Sequence, residues 1–106
     1  MSTFNNRRIT TLLVTFSDKE RRDFTSYVRE RGTRSNIALW EAVRRSHPKY
    51  EVEEEKIFEK VRPGKAFKDK NYRVWVSELT QLAKEFIAIE AFRKNDLLFN
   101  LSLIHI

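Results

Sequence analysis

The stretch from Tyr72 to Ile89 constrains the fold more than any other part of this 106-residue chain. With successive residues about 100° apart around a helix axis, Tyr72, Trp75, Val76, Leu79, Leu82, Ala83, Phe86, Ile87 and Ile89 fall within an arc of about 160°. Lys70, Arg73, Ser77, Gln81, Lys84 and Glu85 occupy the other side. A helix of this kind, begun at Asp69 or Asn71 and continued to about Lys94, must lay its apolar stripe on other elements. The chain holds only two glycines, two prolines and no cysteine. That favours helices over a turn-rich β architecture and excludes disulfides and zinc-thiolate sites. The expected fold class is therefore all-α: a bundle of four to five helices with a long C-terminal amphipathic helix, residues 1–100 forming a single helical domain.

Shorter signals place the other helices. Ile9, Leu12, Leu13 and Phe16 have helical spacing, with a stop expected at Ser17. Ser17 and Glu20 form a capping-box pattern, so a second helix should start there, bury Phe24, Tyr27 and Val28, and close at Gly32 in left-handed geometry. Ser35 or Asn36 is the expected cap of a third helix carrying Ile37, Leu39, Trp40 and Val43, ended by His47-Pro48. Glu53, Glu54 and Glu55 suit the positive end of a fourth helix dipole, and Ile57, Phe58 and Val61 supply its apolar side. Arg62-Pro63-Gly64-Lys65 fits a type II turn. Trp40 and Trp75 sit on apolar stripes and are expected in the core. In the last helix Glu90 breaks the apolar arc and Phe92 breaks the polar one, as though its final turns meet a different neighbour.

The net charge of +6 is unevenly placed: 11 Lys/Arg against 5 Asp/Glu through Tyr50, then ten of each through Asn100. A basic first half suits either a solvated surface or an acidic partner. No apolar run is long enough to span a bilayer and no leader peptide is recognisable, so the expected location is cytoplasmic with no membrane partner.

Phe16-Ser17 with Glu20 and Asp23-Phe24, Leu39-Trp40, His47-Pro48, Ile57 to Lys60, Pro63 to Phe67 with Asp69, and then Arg73, Ser77, Leu79, Leu82 and Phe86 occur together. In this combination, roughly from Ile9 to Phe92, the chain resembles the amino-terminal region of a family of uncharacterised, long helical bacterial proteins with no assigned activity. It departs from the family pattern at Val61-Arg62 and between Glu30 and Thr33. The resemblance implies a helical fold and a longer parent chain, and supplies no mechanism. The last six residues, Leu101 to Ile106, resemble the in-frame translation of a transposase end used in sequencing libraries. On that reading residues 101–106 are an adapter-derived tail, and the native chain continues past Asn100.

Catalytic chemistry finds little purchase. His47 is the one histidine outside the tail and sits beside a helix-ending proline, so neither a nucleophile-base pair nor a histidine metal site is expected. Gly64-Lys65 lacks the rest of a phosphate loop. Paired acids such as Glu53 and Glu54 show no apolar surroundings that would set one apart as an acid or base. No enzyme activity, cofactor or metal is expected. The leading expectation is a helical scaffold or protein-interaction module that binds a protein, or the downstream part of its own chain, through Phe92, Leu97, Leu98 and Phe99. The alternative is nucleic-acid binding, through the basic first half or a helix-turn-helix-like surface presenting Lys65, Lys68, Lys70 and Arg73.

Overall fold

A computed structural model describes residues 3–104, with side chains for residues 3–93 other than Asn6. Five α-helices follow one another: α1 (Arg8–Leu13), α2 (Asp18–Arg31), α3 (Arg34–Val43), α4 (Glu54–Val61) and α5 (Asp69–Ile104). Short 3-10 turns precede α1 at Phe4–Asn6 and follow α3 at Arg44–Ser46. The expected all-α bundle around a long C-terminal helix is what the chain forms. Its spine, α5, packs on α1, α2 and α3, and α4 packs on α3. Before α1, the Phe4 N–H donates to the Val52 carbonyl at 2.8 Å, tying the amino terminus to the segment entering α4.

Helix starts are set by local chemistry. Ser17 Oγ accepts from the Glu20 N–H at 3.2 Å while the Ser17 N–H donates to the Glu20 carboxylate at 2.9 Å, the capping box read from the sequence. The cap of α3 is Thr33 rather than Ser35 or Asn36. Its Oγ1 accepts from the Asn36 N–H, and Asn36 Oδ1 reciprocates by accepting from the Thr33 N–H. Gly64, at φ +77°, makes the expected turn, closed by the Lys65 N–H donating to the Arg62 carbonyl.

Gly32 corrects an expectation. Its φ of −83° and ψ of 161° are extended, not left-handed. A Cβ there would stand 2.7 Å from the Val28 carbonyl oxygen, 3.1 Å from Asn36 Cβ and 3.3 Å from Leu82 Cδ1. Glycine is needed for space between α2, α3 and α5. Two helix ends also differ from expectation. The first helix closes at Leu13, and Phe16 enters the core from beyond the turn. The third leaves α geometry at Val43 and runs through its 3-10 turn up to the cis His47-Pro48 bond.

The core is largely aromatic. Phe24 meets Phe16, Trp40 and Phe86 at centroid separations of 5.4, 5.0 and 5.5 Å, joining α2 to α3 and α5. Phe58 stacks on Trp75 at 5.0 Å, joining α4 to α5. The Trp40 indole N–H donates to Thr25 Oγ1, whose hydroxyl in turn donates to the Arg21 carbonyl, so the buried indole is satisfied. Along α5, Tyr72, Trp75, Val76, Leu79, Leu82, Ala83 and Phe86 are all buried. The predicted stripe ran further: Ile87 is 36% exposed and Ile89 only half-buried, because past Phe86 only one flank of α5 still faces α2.

Candidate functional site

Beyond Phe86 the spine is only partly covered. At 36 residues α5 is roughly 54 Å long at about 1.5 Å per residue, against bundle widths of 24 and 19 Å. It continues helically through Glu90 and Phe92, the two residues that break the amphipathic pattern. Tyr27 of α2 lies over Phe86 at 5.8 Å and donates its hydroxyl to Glu85 at 3.1 Å. Burial first, and then that hydrogen bond, raise the Tyr27 phenol above its ordinary value. Past this contact a groove of about 350 Å³ opens between α2 and α5, where Tyr27, Phe86 and Ile89 are outnumbered by Asp23, Ser26, Glu30, Arg31 and the paired Glu90 and Arg93. Phe92 stands out from it, 71% exposed. The side chains of Leu97, Leu98 and Phe99 lie outside the described residues, as do residues 105 and 106 of the tail.

A partly buried polar cluster ties the segment before α1 to the starts of α4 and α5. Arg7 donates to Glu54 Oε2 at 2.6 Å and approaches Asp69 at 3.7 Å, with its guanidinium 5.3 Å from the Tyr72 ring centre. Glu54 is 3% exposed, so the acid read as a plain helix-start residue sits in low-dielectric surroundings after all. Its Oε1 and the Tyr72 hydroxyl have no hydrogen-bond partner among the described residues. The Glu54 hydrogen bond raises Arg7 above its ordinary value, keeping it charged. Burial, reinforced by the Glu54 charge and opposed by Arg7, pushes the Tyr72 phenol well up.

The residues expected to form a helix-turn-helix surface are all exposed around the start of α5. Lys65, Lys68 and Lys70 are exposed on the connection and the first turn of α5. Arg73 is held by Asp69 at 2.6 Å and lines a groove between α1 and α5 with Arg8 and Ser77. Residues 62–68 separate α4 from α5, more than the three or four of a helix-turn-helix.

The basic first half does converge. Arg21 and Arg22 of α2 face Arg44 and Arg45 of the 3-10 turn across a groove of about 500 Å³ floored by Thr25 and Trp40. Arg21 donates to the Phe16 carbonyl at 2.8 Å and pairs with Asp18. At one side Glu41 takes Arg29 and Arg44, both at 2.8 Å. Burial alone would raise the Glu41 carboxyl, but the two arginines outweigh it and hold it below the usual carboxylate range. Arg22 and Arg45 make no ion pair among the described residues. Sequence counts showed the excess charge, but not that residues 21–22 and 44–45 share one groove.

His47 is exposed and edge-on to Tyr50 at 5.8 Å. Among the described residues no group of three or more His, Cys, Asp or Glu is placed to hold a metal, and no helix is long and apolar enough to cross a membrane. Compared with known proteins, the chain matches no family model, no curated protein and no solved structure.

Proposed function

We propose that the chain is a non-enzymatic helical scaffold whose distal α5 docks onto an apolar helical surface of a partner protein. The observation that carries this reading is Phe92, 71% exposed on the part of α5 that runs past its fully buried stripe. An aromatic ring held on a rigid helix offers a large apolar area at little entropic cost, which is what an interface anchor needs. Half-buried Ile89 lies three residues before it, one helical step along the same side. The motif resemblance, being to long helical proteins, points the same way.

The test is hydrophobic-dye fluorescence with light scattering on the chain and on Phe92→Ser. Dye binding and concentration-dependent association, both reduced by the substitution, are expected. A monodisperse, dye-silent monomer at high concentration would overturn the reading. Salt-dependent binding to generic duplex DNA that is lost on Lys65→Ala, Lys68→Ala, Lys70→Ala and Arg73→Ala would replace it with the nucleic-acid alternative.

A further inference from the structure

The arginine groove between α2 and the end of α3 belongs neither to the spine nor to its exposed tip. Four guanidinium groups line it against a single carboxylate, that of Asp18. Like charges gathered around one groove repel, and no ion pair among the described residues engages Arg22 or Arg45. Arg22 and Arg45 are exposed. Arg21 and Arg44 are held in place by bonds that use only part of their donor sets: the Phe16 carbonyl and Asp18 for one, Glu41 for the other. The groove thus presents oriented, unspent N–H donors from both walls.

Its floor narrows the choice of ligand. Trp40 is 1% exposed, so no ring face is open for a base to stack on. Thr25 Oγ1 already donates to one partner and accepts from another. Recognition must come from the arginines, whose planar forks match phosphate oxygens. The cations gather around an open groove of small-molecule size rather than along an extended ridge, which favours a compact anion over a duplex.

We infer that this groove binds an oligophosphate, a chain of two or three linked phosphates, either as the free inorganic ion or as the tail of a nucleotide. The arginine pairs on opposite walls grip successive phosphates, and the ligand displaces Asp18 from Arg21. Asp18 is the carboxylate that lines the groove itself, while Glu41 stands behind Arg44 at its side.

Calorimetric titration of the chain with inorganic triphosphate, ATP and orthophosphate, in the presence of chelator and at low salt, tests this. Triphosphate is expected to bind stoichiometrically and orthophosphate about a hundredfold more weakly, since it engages one arginine pair instead of two. Equal affinity for triphosphate and ATP assigns the site to the phosphate chain itself; a preference for ATP assigns it to a nucleotide; either supports the inference. Arg22→Ala and Arg45→Ala should each weaken binding about tenfold, with Arg→Lys at the same positions falling between because charge remains but the fork is lost. Asp18→Asn should tighten binding, while Lys65→Ala and Lys70→Ala should leave it unchanged. Unchanged circular dichroism confirms that the variants fold. No saturable binding, orthophosphate binding as tightly as triphosphate, or an equal loss in the Lys65 and Lys70 variants would overturn the inference. So would a short DNA duplex that displaces bound triphosphate, which would assign the groove to nucleic acid.

Discussion

Removing one side of the Arg7–Glu54 pair should cost far more than removing both. In Arg7→Met, which keeps an apolar stem near the Tyr72 ring, Glu54 is left with 4% side-chain exposure and neither oxygen paired. An isolated buried carboxylate costs about 3–5 kcal/mol. In Glu54→Leu the survivor is Arg7, whose side chain is 27% exposed and has Asp69 at 3.7 Å. Water and that second carboxylate screen it, so the cost should be about 1–2 kcal/mol. The double variant replaces the pair with apolar groups of similar size and should lie within about 1 kcal/mol of the parent, or above it. Urea unfolding of all four proteins at neutral pH measures the differences, read at constant slope so that midpoint shifts report stability. If Arg7→Met costs less than Glu54→Leu, or the two single losses simply add in the double variant, Glu54 is solvated in solution and the cluster is not a buried device.

Other consequences follow from single sites. Gly32→Ala should destabilise by about 2–3 kcal/mol through overpacking, because the new Cβ meets the Val28 carbonyl at 2.7 Å. Gly64→Ala, with open space but φ +77°, should cost only about 1–2 kcal/mol; equal thermal shifts would contradict the separate causes. The raised Tyr72 pKa means its contribution is fully present below the ordinary phenol value of 10 and is lost as pH climbs towards the folded value. Tyr72→Phe, which deletes an unpartnered hydroxyl, should therefore be nearly neutral at pH 7 and blunt alkaline unfolding. Glu41 behaves oppositely. Its lowered pKa gives stability that is present above the ordinary value of 4.5 and lost as pH falls through the lower folded value, so Glu41→Gln should flatten the acid limb of a stability–pH profile.

Features that depend on neighbours in the chain could be read from sequence. The capping box at Ser17 and Glu20, the turn at Pro63-Gly64 and the stripe from Tyr72 to Phe86 each rest on contacts within a few residues or on one helical period. Features that depend on distant partners could not. Arg7 and Glu54 are 47 positions apart, and neither carries a local mark of the pairing. Gly32 looks like a left-handed helix end, yet the reason for it lies partly on Leu82, fifty residues later. Thr33, Ser35 and Asn36 are all good cap residues, and only the path of the chain out of α2 decides for Thr33. Phe4 and Tyr50 are isolated aromatics outside any periodic segment, but they meet at 6.2 Å, fully buried. The arginine groove has walls from two separate elements, so a basic face could be read from the sequence but not the meeting of residues 21–22 with 44–45. Phe92 is the instructive exception. Its conflict with the helical pattern was evident in the sequence, and that conflict is what its exposure expresses.

Amide hydrogen exchange along α5 tests most directly the claim that one half of this helix is the spine of the bundle and the other half awaits a partner. Amides from Trp75 to Phe86 should exchange only through global unfolding, while those from Ala91 to Arg93 should open locally and exchange orders of magnitude faster in dilute protein. Uniform protection from Trp75 through Arg93, unchanged on dilution, would contradict the account, since it would mean that the distal turns are already covered by the chain itself.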